Sequence, residues 1–262
     1  MNTWRILPFE VRSAAWNMAI DEAILQACIA GKVPNTLRLY RWSPSAVSIG
    51  RNQVVDDTVY LQTAKQFGVD VVRRCSGGGT VYHDCNGEVT YSVVAKTFDI
   101  GNLNDIASVY FKIYEALTDA LRLLGISADF NPGDAKFCPN LTVENKKISG
   151  SSQTLSQGYV LQHGTLLQSV DLDKMFQLLK LKNLSCTQAT ELGRQKITSI
   201  NTTLGHPISP DTVANALKQG FKAILKIQLN ENPLTTFEEE LATQLYKEKY
   251  STKKWTLNPK LP

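Results

Sequence analysis

The chain has 262 residues, 43% hydrophobic and 20% charged, with a formal net charge of +4. This is the composition of a soluble globular protein, long enough for one large domain with a sizeable core. It excludes a helical membrane span, since no apolar run nears the ~18 residues required, and the small basic excess gives no ground for a DNA or RNA module.

The five cysteines (Cys28, Cys75, Cys85, Cys138, Cys186) are odd in number and form no Cys-x-x-Cys pair, so neither a disulfide framework nor a zinc site is indicated. Met1 to Arg5 lacks the basic start and apolar core of a signal peptide. A reduced, cytoplasmic protein is expected.

In chain order, Trp4 to Phe9 reads as a strand, and Ser13 to Ala30 as a helix with Ala19, Ile20, Ala23 and Ile24 on its apolar face and Asp21 and Glu22 off it. Met18 and Trp16 read as core. Thr36–Trp42 and Ala46–Ile49 are strands, the first alternating Leu37/Leu39 with Arg38/Tyr40. The turn Gly50-Arg51-Asn52-Gln53, a helix at Asp57–Phe67 and a strand at Val69–Arg74 follow. Gly87–Val94 is a further strand, and Asn104–Leu124 the longest helix, with Gly125 as its C-cap. Strands are expected at Leu141–Glu144, Lys147–Gln153 and Tyr159–Leu167, after a turn at Asn131–Asp134. Helices return at Asp171–Leu181, Ser209–Leu225 and Thr236–Lys249, the last opened by a Thr236…Glu239 capping box; Asn183–His206 is the loosest stretch. The whole reads as an α+β fold with a mixed, largely antiparallel sheet and flanking helices.

Chemistry concentrates in Arg73-Arg74-Cys75-Ser76-Gly77-Gly78-Gly79-Thr80-Val81-Tyr82-His83-Asp84. Consecutive glycines let the backbone approach a ligand and aim several N–H groups at one point, and fixed positive charge beside them suits an anion. A hairpin turn with solvated arginines is the alternative. Lys147, two residues before Ser149-Gly150-Ser151, can neutralise charge developing on an acyl oxygen, or be a solvated surface lysine. His163-Gly164, inside an apolar strand, signals close backbone approach or a satisfied core histidine. Cys138 is either a small hydrophobe or a nucleophile whose thiolate Lys136 and Lys147 would favour. Cys75 reads as a packing residue rather than a rival nucleophile.

Together these segments resemble the lipoate–protein ligase family, whose relatives include octanoyltransferases and biotin ligases. Arg73 to Asp84 is similar to its Arg-Arg-x-x-Gly-Gly-Gly-Ala-Val-Tyr-His-Asp loop, Lys147–Ser151 to its lysine segment and Gln162–Leu167 to its third segment. Met18–Glu22 and Ser48–Gln53 fit its N-terminal signatures, so that the resemblance spans roughly residues 4 to 255. It implies one catalytic domain over residues 1–262, without an accessory C-terminal domain, and an acyl chain held in a hydrophobic tunnel.

By resemblance, Arg73, Ser76, Gly77, Gly78 and Gly79 would line the acyl and phosphate site. Lys147, with Gly150 of its segment, would contact the acyl carbonyl, and His83, Asp84, His163, Gly164 and Thr165 would complete an adenylate cradle. The ligase branch uses ATP and Mg²⁺ to activate lipoate or octanoate and passes the acyl group to a lysine of a lipoyl domain, such as glycine cleavage H protein or 2-oxoacid dehydrogenase E2. This is the first reading. The chain departs from that branch in two ways. Pro139-Asn140 stands where an Asn-Asp pair would help hold Mg²⁺, leaving Asp84 or Asp134 to substitute, and any accessory C-terminal domain would have to be a separate subunit. No resident metal site is assigned. The alternative is a cysteine-dependent octanoyl- or lipoyltransferase that takes its acyl group from acyl carrier protein or another lipoyl protein, with Cys138 as nucleophile, although Cys138 lies nearer to Lys147 than that branch's cysteine usually does. A non-catalytic binder ranks third, and neither nucleic acid nor membrane is expected as a partner.

Overall fold

The computed structural model describes residues 2–101, 106–133 and 138–258. Its first half runs β1 (Asn2–Ile6), β2 (Glu10–Arg12), α1 (Ala14–Ile29), β3 (Thr36–Trp42), β4 (Ala46–Ile49), α2 (Val55–Thr58), α3 (Leu61–Gln66), β5 (Asp70–Arg73), β6 (Val81–His83), β7 (Glu88–Lys96) and α4 (Ile106–Leu123). The second half runs β8 (Asp129–Asn131), β9 (Asn140–Val143), β10 (Lys146–Ser156), β11 (Tyr159–Leu167), α5 (Leu172–Leu178), α6 (Cys186–Lys196), α7 (Ile200–Leu204), α8 (Pro210–Leu225), β12 (Ile227–Glu231), α9 (Thr236–Leu245) and α10 (Lys253–Leu257).

The large sheet has the order β12-β1-β3-β7-β11-β10-β9-β8, with β2 also paired to β3. From β3 to β8 every pairing is antiparallel, and the β1 edge is parallel. A small sheet, β5-β4-β6, carries the glycine loop between β5 and β6. The expected α+β class holds.

Alternation along the strands sends Leu37, Leu39, Tyr91, Val93 and Leu166 to one face, where they pack with Ile113, Leu117 and Phe221 of α4 and α8. A Cβ at Gly220 would collide with the Ala116 carbonyl oxygen, so this glycine lets the two helices cross closely. The opposite face, under α1, carries Arg38, Tyr40, Thr90, Ser92, His163 and Thr165, all buried. The alternation read in β3 therefore separates core from functional face rather than core from water.

Several expectations are corrected by tertiary context. Asp21 is buried, because Arg38 reaches up from β3 to meet it. The expected helix at 57–67 is two short helices broken at Val59, which bridges to Leu179. The capping box uses Thr235 and Glu238, one residue earlier than read, because Glu238 turns inward to pair with Arg5 while Glu239 stays exposed. The stretch 183–206 is not loose: Ser185 and Ser199 cap α6 and α7. Short β6, β8, β12 and α10 escaped notice, being too brief for a period to show.

Candidate active site

Strand β5 ends in two arginines, and neighbouring residues of a strand point opposite ways. Arg74 faces the functional side of the sheet. Its Nη1 donates to the carbonyl and hydroxyl oxygens of Ser48 (3.0 and 2.9 Å), and its Nη2 to the carbonyls of Gly77 and Gly79 (2.8 and 2.9 Å). Burial pushes its pKa down to about 10, which leaves it charged at neutral pH. The glycine loop is thus folded around a cation that draws its carbonyls inward. Gly78 adopts φ +86°, and a Cβ on Gly50 would collide with the Gly78 carbonyl oxygen, so the loop rests directly on the turn after β4.

Lys147 comes from the β9–β10 hairpin, closed by Glu144 and Asn145 at φ 50° and 64°, a two-residue turn of the type that matches strand twist. A register shift between Lys147 and Ser149 changes the strand's parity. Without it Lys147 would face away from Gly150 and Ser152; with it Lys147 joins them. The Lys147 carbonyl accepts from Thr198 N (2.9 Å), so the stretch expected to be loose fixes this strand.

A Cβ added to Gly150 would lie 2.6 Å from both Cε and Nζ of Lys147. The ammonium therefore lies across a strand position where any Cβ would displace it. Lys147 remains solvent-accessible as a residue, yet the protein around its ammonium lowers its pKa, and nearby Cys138 acts in the opposite direction. Replacing Gly150 with alanine is expected to displace the ammonium and slow turnover by roughly 10²-fold, the cost of misplacing a reacting group by about 1 Å. Steady-state kinetics beside a thermal melt checks it, since a merely destabilised variant would recover its rate at lower temperature.

Cys138 precedes β9. Continuing the Asn140↔Gly150 pairing by two residues sets it opposite Ser152. Its Sγ lies 3.8 Å, and Ser152 Cβ 3.4 Å, from the position a Cβ would take on Gly78. The next carbonyl, Pro139, accepts from the Tyr114 hydroxyl of α4 (2.7 Å), which anchors the segment.

Two buried histidines complete the walls. His83 Nδ1 meets Glu88 Oε1 and its Nε2 meets Ser48 Oγ, both at 2.7 Å, with the ring stacked on Trp42 at 4.0 Å. His163 Nδ1 meets Asp21 Oδ2 at 3.1 Å and its Nε2 meets Ser76 Oγ at 2.7 Å. Burial lowers the His163 pKa, and Asp21 counteracts it.

These groups enclose a cavity of about 130 Å³ running from Cys138 and Lys147 to Met18, Tyr40 and Trp42. It crosses the sheet from β10 to β3, three strand spacings or roughly 14 Å, a length that suits an extended medium-length chain with its reactive end at Cys138 and Lys147.

Residues 13–222 match the family described as the lipoyl protein ligase A/B catalytic domain. The chain belongs to that family. Octanoyltransferase LipM of Brevibacillus brevis is 35% identical to this lipoyl protein ligase A/B chain, covering 98% of it and 99% of the relative. Octanoyltransferase LipM of Kyrpidia tusciae is 36% identical over 97% and 98%. Among solved structures, one from the bi-partite lipoate protein ligase and E2 lipoyl domain system of Thermoplasma acidophilum superposes with a TM-score of 0.87 at 30% identity, covering 100% of this chain and 99% of that one. A lipoate-protein ligase A bound with ATP gives 0.84 at 32%, covering 98% and 99%. The chain is therefore an enzyme of lipoyl-protein modification.

Of the positions that the family resemblance singled out, Gly78, Gly79, His83, Cys138, Lys147, Gly150, His163, Gly164 and Thr165 line the cavity. Ser76 stands behind it, bonded to Ser152 Oγ (2.8 Å) and His163, and Gly77 frames the loop through its carbonyl. Two expectations are corrected. Arg73 does not line the cavity: strand parity turns it away, and its guanidinium is occupied by five main-chain carbonyls. Asp84 is not in the cradle: its carboxylate accepts from Asn86 N (2.9 Å) and the Tyr82 hydroxyl (3.3 Å) in the turn leading to β7.

Among the described residues no carboxylate lines the cavity, a poor fit to Mg²⁺, and no group of three His, Cys, Asp or Glu side chains could hold a metal ion. Asp134 and Lys136 lie outside the described residues. Arg74, read in the sequence as one of two loop arginines but given no role by the resemblance, lines the cavity; residues missed are Ser152, Tyr40, Trp42 and Asp21, and Met18, read as core, also lines the cavity. One signal was available for Asp21: Asn17 and Asp21 sit four apart in a mostly apolar helix, sharing one face, and both bind Arg38.

Proposed function

We propose that this enzyme transfers an octanoyl group from an acyl carrier thioester to a lysine of a lipoyl domain, without ATP, through a thioester on Cys138. The observation that carries this reading is the convergence of Cys138, Lys147 and the glycine loop on one end of a chain-length cavity. The Cys138 thiolate attacks the carrier thioester, the carrier thiolate leaves, and the acceptor amine then displaces Cys138. Lys147 and the Gly78–Gly79 backbone bear on the carbonyl oxygen, where negative charge develops in both steps.

The octanoyltransferase names of relatives spanned over nearly their whole length support the transferase over the ATP-dependent ligase, and so does the poor fit of the cavity to Mg²⁺. The E2 lipoyl domain of the Thermoplasma system supports a lipoyl-domain acceptor. We further propose that residues 1–262 act as one catalytic unit. A reducing compartment suits the five free cysteines, and no helix among the described residues is long and apolar enough to cross a membrane.

The test is incubation of the chain alone with octanoyl-loaded acyl carrier protein and an unmodified lipoyl domain, with ATP omitted, followed by intact-mass measurement of both proteins. A transient octanoyl adduct on Cys138 and a modified domain are expected. Transfer that needs ATP, or pyrophosphate release from lipoate, ATP and Mg²⁺ at a comparable rate, would return the enzyme to the ligase reading.

A further inference from the structure

Cys138 and Lys147 account for the bond made to carbon but not for the proton. An acceptor lysine amine that attacks a thioester must lose a proton as the C–N bond forms, and general bases for such a step are worth about 10²–10⁴-fold. A route for it is built into the row of residues beside the cavity. Strand pairing places Ser152 across from His163 and His163 across from Ser92, on the face that α1 covers.

The hydrogen bonds have a defined direction. Asp21 accepts from Arg38 Nη1 (2.8 Å) and from the Tyr40 hydroxyl (3.0 Å), so it is held as a carboxylate and its remaining partner, His163 Nδ1 at 3.1 Å, is a donor. His163 Nε2 is then an acceptor, and the Ser76 hydroxyl at 2.7 Å donates to it. That leaves the Ser76 oxygen to accept from the Ser152 hydroxyl at 2.8 Å. Ser152 itself lines the cavity, and its Cβ and Cys138 Sγ meet the same point above Gly78. Each link from Ser152 inward is buried, and each donor has one acceptor ahead of it.

We propose that Ser152, Ser76 and His163, oriented by Asp21, form a proton relay that takes the proton of the acceptor amine and later returns it to the departing carrier thiolate. This rests on the acyl-Cys138 reading. As the amine nitrogen bonds the acyl carbon and the C–S bond to Cys138 breaks, the N–H proton passes to Ser152 Oγ. The Ser152 proton moves to Ser76 Oγ and the Ser76 proton to His163 Nε2, leaving an amide, a Cys138 thiolate and an imidazolium. In the next cycle the thiolate attacks a new carrier thioester, and the imidazolium proton travels back out to the carrier thiolate, giving a thiol and neutral His163. Other titratable groups facing the ring are Arg74 from the end of β5 and His83 from β6, both of which disfavour a lasting positive charge there. The imidazolium is thus suited to a transient carrier rather than a resting state.

The test uses the full chain and its octanoyl thioester on Cys138, formed from the carrier and isolated from it, then discharged in single turnovers. One acceptor is the lipoyl domain; the other is hydroxylamine, which is uncharged at neutral pH and attacks thioesters without a base. His163→Gln and Ser152→Ala are each expected to slow discharge to the lipoyl domain by roughly 10²-fold, while discharge to hydroxylamine changes by less than about threefold. Ser152→Ala removes one cavity-wall hydroxyl and keeps the test valid if His163→Gln folds poorly. Lipoyl-domain discharge within about threefold of the unaltered chain in Ser152→Ala, or equal slowing with both acceptors, would overturn the relay. If the unaltered chain forms no thioester at all, the acyl-Cys138 reading falls and takes the relay with it.

Discussion

Cys138→Ser is expected to abolish ATP-independent octanoyl transfer, lowering kcat by about 10⁴-fold or more, on the scale seen when a nucleophile is removed from an otherwise intact site. The thiolate is both nucleophile and leaving group here. A serine alkoxide is much harder to form at neutral pH, and an ester on it would discharge slowly to an amine. The substitution exposes the chemistry cleanly because Cys138 is solvent-exposed, so stability should change by no more than ~0.5 kcal/mol. Intact-mass measurement in single turnover should show no thioester. Transfer surviving within about tenfold of the unaltered rate would place the nucleophile elsewhere. Cys75 is not a good substitute. Burial pushes its thiol up to about 12, and it lines a separate groove with Glu22 and Lys249 rather than the cavity. Cys28 is likewise buried and pushed up to about 12.

The sequence makes the site's contributors legible where one residue type can serve only one backbone need. Gly78 needs a positive φ, a Cβ on Gly50 or Gly164 would collide with main-chain carbonyls, and a Cβ on Gly150 would displace the Lys147 ammonium. Their segments could therefore be recognised before any fold was known. What stays hidden is which way a side chain turns. Arg73 and Arg74 are chemically identical in the sequence, and only the registration of β5 against β4 decides that Arg74 enters the cavity and Arg73 leaves it. Lys147 could not be assigned a face by counting residues, because the irregularity at Ile148 reverses the count. Its closeness in sequence to Cys138, which weighed against the transferase, follows from the two-residue Glu144-Asn145 turn: a tight hairpin brings both residues to one cavity end without a longer connection. Asp21 and His163 are 142 residues apart in the chain and meet only through the stacking of α1 on β11.

Arg73→Ala is expected to cost stability rather than chemistry, by about 3–5 kcal/mol. The guanidinium is fully buried with no carboxylate beside it among the described residues, and burial lowers its pKa. It is held by carbonyls alone: Nε donates to Trp255 O (3.0 Å), Nη2 to Thr256 O (2.8 Å), and Nη1 to the carbonyls of Gly50, Arg51 and Gln53 (3.0, 3.0 and 2.7 Å). The Trp255 and Thr256 carbonyls belong to the last turn of α10, so Arg73 ties that helix end to β5 from across the chain. The other three belong to the turn on which Gly78 rests. Truncation would strand several of these acceptors away from water, and in a domain of this size each 1 kcal/mol lowers Tm by about 2–4 °C, giving a fall of roughly 10 °C. Arg73→Lys should recover only part of it, since three ammonium donors cannot reproduce a planar fork serving five acceptors. Thermal melts of both variants, with kcat measured well below the transition, separate the two roles. A Tm unchanged within about 2 °C together with a collapse in kcat would mean that Arg73 serves the acyl group after all, and that the parity assigned to the end of β5 is wrong.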